Sequence, residues 1–396
     1  MRKIVLLTYI LFFALSISAH ADDTILNREQ IVNTETIILD QLDKLDVGNI
    51  TEIMDSINRD LKDYFPKIDY RDYIMKVIRG ETTFSFIDII RGSFSLLFRE
   101  VMVNWYLLIQ IILLSLIYAI LSNLQSSFEN KTISRLAYNV CYLMIASLVI
   151  KSFFIAINIG AEAIEMMVTF MQLLTPIVLT LILAMGGITT AAFFHPILLG
   201  GIGLIGTVVK SVVLPLLIFS AVLSVVSNLS TKIQISKLAN LFKQSAIALL
   251  GFILTIFVGI ISIQGIAAAS VDGIGLRTTK FAIERFIPIV GGFLSDAMDT
   301  VIGCTLVLKN GIGALGFLVI FLICLLPVIK ILSLVVIYRF CIAVIEPIAE
   351  KQLIDFLTQM SNTLLVLFAA VVAVAIMFFV TITIVVSTGN ITLMMR

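Results

Sequence analysis

Charge is scarce in this sequence. Only 13% of its 396 residues are Asp, Glu, Lys or Arg, while 60% are hydrophobic and the mean hydropathy is +1.10. Soluble domains carry nearer a quarter charged residues. A soluble chain of this length could hold two or three domains. Here, however, most apolar residues stand in uninterrupted runs rather than at the spacing of a half-buried surface, so lipid must solvate them. Histidine is nearly absent: His20 lies close to the N-terminus and His195 is the other, which excludes a multi-histidine metal site. The four cysteines, Cys141, Cys304, Cys324 and Cys341, show no CxxC spacing and read as reduced packing thiols. With a net charge of +1 and no basic patch, nothing points to a nucleic-acid partner. Phosphate-binding, zinc-protease, nucleophile-elbow and dinucleotide motifs are all missing, so no enzymatic activity and no cofactor is expected.

What is present falls into three parts. Arg2 and Lys3 precede a short apolar stretch, Ile4 to Ile17, and then Ala19-His20-Ala21, the order of a secretory signal peptide cleaved after Ala21. An uncleaved anchor is the alternative, but the run is shorter than the roughly 20 residues a span needs. Residues 22–100 follow as an acidic segment, with sixteen Asp/Glu against ten Lys/Arg. Ile53, Ile57 and Leu61 share a helical face, and Pro66 ends that helix. Phe86, Ile90, Phe94 and Leu97 carry helical spacing towards the first span, as in a helix lying on the membrane face. A small extracytoplasmic helical domain is the expectation.

Residues 101–396 read as a polytopic, all-α membrane bundle. Val101–Leu121 and Tyr138–Ile157 are clean spans. The stretch Met166–Thr231 holds one charge, Lys210, and has room for three crossings; Ala246–Ser270 adds one. Gly311–Ile345 would be about 52 Å long as one helix, against about 30 Å of hydrocarbon, so a break at Pro327, with Lys330 as the polar turn, is expected. Thr363–Ser387 closes a count of eight or nine spans, some broken or re-entrant. The loops with Lys131/Arg135 and with Lys232, Lys237 and Lys243 are cytoplasmic by the positive-inside rule, which leaves the acidic domain outside.

Polar and flexible residues inside apolar sequence are the functional candidates, because lipid makes them costly. The first group is Pro176, Gly186, Gly187, Thr189, Thr190, His195, Pro196 and the glycines that follow, suited either to close helix packing or to a broken helix lining a path. The second is the interrupted stretch from Asp272 to Gly316. Asp272, Arg277, Lys280, Glu284, Asp296, Asp299 and Lys309 are its path-lining or partner-facing candidates, and Pro288, Gly291, Gly292 and Pro327 are further helix-breaking ones. Over residues 277–300 one helix would place Glu284, Ser295 and Asp299 on a polar stripe opposite Phe286, Ile289 and Phe293. A faint echo displaced by 112 residues pairs Pro176, Gly201 and Pro215 with Pro288, Gly313 and Pro327.

The stretch DGIGLRTTKFAIERFIPIVGGFLSDAMDTVIGCTLVLKNGIGALG, residues 272–316, closely resembles the stage III sporulation protein AE family of endospore-forming bacteria. GGITTAAFFHP at 186–196, SKLANLFKQ at 236–244, VGIISIQG at 258–265 and the ending GNITLMMR support it. The resemblance implies a membrane component of the channel joining mother cell and forespore. It also implies partners among the other stage III A proteins, including an ATPase and ring-forming proteins, and indirectly the forespore protein Q. The location implied is the mother-cell membrane around the forespore. No catalytic residue is carried over. A homo-oligomer is left open, with its subunit count, and a stand-alone secondary transporter and a non-conducting assembly platform remain the alternatives.

Overall fold

The computed structural model describes residues 41, 48–60, 69–79, 86–125, 131–229, 235–286 and 291–394. All of these but Gln41 belong to one compact unit, Leu45–Arg396. Every element among them is helical: α1 (Gly48–Asp60), α2 (Tyr70–Ile78), α3 (Phe86–Val103), α4 (Trp105–Gln125), α5 (Lys131–Ala184), α6 (Ile188–Val208), a π turn (Val209–Val213) running into α7 (Leu214–Leu229), α8 (Ser236–Phe286), α9 (Gly291–Ile345) and α10 (Lys351–Met394). The signal-peptide region and Pro66 lie outside the described residues.

Among the described residues, five stretches are long and apolar enough to cross a membrane: Asn139–Ala184, Ile188–Asn228, Ser236–Gly275, Ala297–Ile345 and Lys351–Thr388. Ile90–Val103 and Trp105–Ile120, bent by 48°, raise the number to six if they form one span. The expected eight or nine spans came from cutting apolar sequence into pieces of roughly 20 residues. The structure instead keeps stretches of 38 to 49 residues unbroken. At Pro327 the expected break is absent, and α9 runs through it. Proline costs a helix one hydrogen bond and crowds a carbonyl, but packed neighbours can hold the helix together. They do so here, where Leu325 and Ile329 of α9 are locked against Leu96 of α3. Pro176 likewise lies inside α5. The 112-residue echo does not extend to architecture, since Pro215 opens α7 just after the π turn whereas Pro327 sits in mid-helix.

Helix α10 is the central element. Phe356, Leu364, Val371 and Phe378 along it are fully buried. It runs antiparallel to α9, where Phe317 stacks on Phe379 at 4.2 Å, and parallel to α5, where Tyr142 meets Phe356 and Gly160 lies under Leu367. In lipid, helix association draws on van der Waals contact rather than on a hydrophobic force, so small residues decide how closely backbones approach. A Cβ at Gly206 would stand 2.7 Å from Val168 of α5, and one at Gly201 would stand 2.6 Å from Phe257 of α8. Hydroxyl groups add staples: Tyr142 Oη donates to the Val225 carbonyl, Tyr338 Oη to that of Val149 and Ser220 Oγ to that of Ala239.

The described helices of the acidic segment pack on this bundle. Asp69 caps α2 by accepting from the Arg71 and Asp72 amides, and Ile74 of α2 is buried over Gly311 of α9. Met54 and Ile57 of α1 are buried. On α3, Leu96 turns towards α9 while Ile90, Phe94 and Phe98 face outward.

Candidate functional site

Helices α5 and α6 meet at Gly186–Gly187. Gly186 has a φ of 85°, the left-handed conformation that glycine tolerates, and the Gly187 amide donates back to the Ile182 carbonyl. Gly187 is the N-cap of α6 and offers no side-chain cap. It has no room for one: a Cβ there would stand 2.7 Å from Ile182 Cγ2. The first-turn amides of α6 must therefore find an acceptor elsewhere. Asp272 of α8 supplies it, with Oδ1 accepting from the Thr189 amide at 2.9 Å and Oδ2 from the Thr190 amide at 2.8 Å. These are the second and third residues of the helix, the donors an ordinary N-cap side chain serves. Asp272 is only 5% exposed. Two charge-assisted hydrogen bonds and the positive end of α6 together hold the carboxylate inside the bundle.

Because Gly186 needs a positive φ, Gly186→Ala is expected to destabilise the fold by about 1–2 kcal/mol, the cost of the left-handed region for an L-residue. An unchanged thermal midpoint for the detergent-purified variant would contradict this.

Lys309 is the second buried charge-bearing side chain among the described residues. It is 0% exposed on α9, and its Nζ donates to the Val386 carbonyl of α10 at 2.8 Å. One turn further on, Gly313 lets the two backbones close, since a Cβ there would stand 2.5 Å from Val386 Cγ2. On the other side of α10, Gly265 of α8 lies against Ile384 and Thr388. A small, almost wholly apolar cavity of about 20 Å³ between α5, α6 and α10 also touches Val386.

The two sequence groups thus meet at one point, where Gly187, Thr189 and Thr190 join Asp272. His195 and Pro196 are exposed on α6, away from that clamp. Pro176 is exposed within α5, and Pro327 is half-buried within α9. Asp299 is half-buried on α9, with Gly291 and Gly292 as that helix's first residues. Pro288 and Ile289 lie outside the described residues, as do the side chains of Arg277, Lys280, Glu284 and Asp296. Of the expected helix over 277–300, the residues up to Phe286 belong to α8 and those from Gly291 to α9, and residues 287–290 lie outside the described residues. Sequence reasoning missed the partner of Lys210, which is Glu165 of α5 at 2.5 Å. The available signal was that Glu165 closes the charged stretch just before the 66-residue apolar run. Among the described residues no group of His, Cys, Asp or Glu could hold a metal ion.

Long apolar helices, glycine-mediated contacts and buried polar anchors together define a polytopic α-helical membrane protein. The family model for stage III sporulation protein AE matches residues 68–389. A stage III sporulation protein AE of Bacillus subtilis (strain 168) is 39% identical over 352 residues, covering 89% of this chain and 88% of the relative. The chain belongs to the stage III sporulation protein AE family. No solved structure matches it.

Proposed function

We propose that this sporulation protein is a membrane-embedded component of the channel between mother cell and forespore, working beside the other stage III A proteins. The observation that carries this reading is that, among the described residues, the buried charge-bearing groups are engaged as anchors. Asp272 is committed to two helix amides, and Lys309 binds a backbone carbonyl. An alternating-access transporter needs its intramembrane ionisable groups exchangeable with substrate or ion. Anchors that lock helices together suit a fixed conduit better. Energy then comes from an ATPase partner, consistent with a sequence that carries no phosphate-binding motif, and ring-forming partners and the forespore protein Q complete the passage. In this reading the bundle sits in the mother-cell membrane around the forespore, with its N-terminal helices outside the cytoplasm.

The test uses Asp299→Leu and Glu284→Leu in sporulating cells. Both variants should insert and accumulate normally while spore formation falls well below wild type, because a path or partner surface loses its charge. Normal spore yield at normal protein level would remove the channel role from this stretch.

A further inference from the structure

The pairing of Glu165 with Lys210 is not an interior contact. Glu165 is 62% exposed and Lys210 51%, and both lie near the middle of their candidate spans, Asn139–Ala184 and Ile188–Asn228. Along the same outer seam α5 exposes Glu162, Thr169, Gln172, Pro176 and Thr180, at the spacing of a single helical stripe. Facing it, α6 and the π turn expose Thr207, Lys210 and Ser211. Gly203 of α6 lies opposite Gln172, whose amide nitrogen would stand 3.8 Å from a Cβ there. From Glu162 to Thr180 the stripe is about 27 Å long, close to the roughly 30 Å thickness of the hydrocarbon layer. Met166 is the one large apolar residue exposed within this α5 stripe, and Leu204 and Val212 are exposed beside the polar residues on the facing side.

Lipid cannot cover such a surface cheaply. Each charged side chain at a span centre costs about 2.5–3.5 kcal/mol by insertion measurements, and glutamate is too short to reach the headgroups as lysine does. Lys210 also sits in the π turn, a local register shift of the kind that accumulates at functional sites. Elsewhere the outer surface is plainly lipid-like, as at Phe252, 63% exposed, and Ile263, 71% exposed, on α8.

We propose that the α5–α6 seam carrying Glu162, Glu165, Thr169, Gln172, Thr207 and Lys210 is a water-facing surface at membrane depth and forms a wall of the conduit. The wall role rests on the channel reading above, whereas the contact with water does not.

The experiment is cysteine accessibility in full-length protein, in membranes from sporulating cells opened so that reagent reaches both sides. The background has Cys141, Cys304, Cys324 and Cys341 replaced by alanine and retains spore formation. Thr169→Cys, Gln172→Cys and Thr207→Cys should react with a charged, water-soluble thiol reagent about tenfold or more faster than Phe252→Cys and Ile263→Cys, because only a thiol in contact with water ionises to the reactive thiolate. Seam cysteines that react no faster than the two lipid-facing controls overturn the proposal, as does self-crosslinking of Gln172→Cys without labelling, which would show a dry protein contact. Solute flux measured in parallel separates the two readings. Labelled seam positions with no flux in the assembled complex sink the channel and leave the wet seam standing. Flux with unlabelled positions does the reverse.

Discussion

Replacing Asp272 with alanine is expected to destabilise the protein by about 2–5 kcal/mol, since two buried amide donors and a helix cap are lost together. Asparagine should do almost as badly. At an exposed N-cap, asparagine and aspartate are nearly equivalent, because one acceptor oxygen suffices. Here both carboxylate oxygens are used, on Thr189 and Thr190, so an asparagine keeps one bond and turns an N–H₂ group against the other amide. A local cap cannot substitute, because any side chain at Gly187 collides with Ile182. Thermal unfolding in detergent, with abundance in the membrane as a second readout, should rank wild type well above Asp272→Asn and Asp272→Ala. A wild-type midpoint for Asp272→Asn would mean that the clamp does not hold α6.

Gly313→Leu should prevent the normal approach of α9 to α10. Even an alanine methyl at this position stands 2.5 Å from Val386 Cγ2, and forced overpacking of this kind costs about 1–3 kcal/mol. Separating the helices there also strains the hydrogen bond from Lys309 to the Val386 carbonyl, one turn away. Gly313→Ala should therefore be largely rescued by Val386→Ala, with a coupling of about 0.5–3 kcal/mol in a double-mutant cycle, as expected of residues in direct contact. Gly251→Ala is the control. Nothing lies within 4 Å of its added methyl, and alanine is the better helix former by about 0.5–1 kcal/mol, so this variant should be neutral or more stable. Additive behaviour of Gly313→Ala and Val386→Ala would show that the two helices do not depend on this contact.

The class of the protein was legible from composition, because long apolar runs with few charges leave only helices in lipid. The family was legible from residues 272–316. Gly186–Gly187 was legible as a discontinuity, since two adjacent glycines mark a place where a helix can end. The number of spans was not legible. Cutting at 20 residues assumes that every long apolar run must fold back, yet Pro327 and Pro176 lie inside continuous helices. The polar residues of 186–190 and 272–316 stood out in the sequence as two separate groups, each defined by its cost in lipid. That Asp272 completes the cap Gly187 cannot provide depends on a contact spanning more than 80 positions, and no local periodicity encodes it. The same holds for Lys309 and Val386, and for Glu165 and Lys210. Residue type and spacing thus determined what each segment must be in lipid. Which buried or membrane-depth charge meets which partner was decided only by the packing of α5, α6, α8, α9 and α10, because hydrogen bonds and ion pairs are short-ranged and the sequence separations are long.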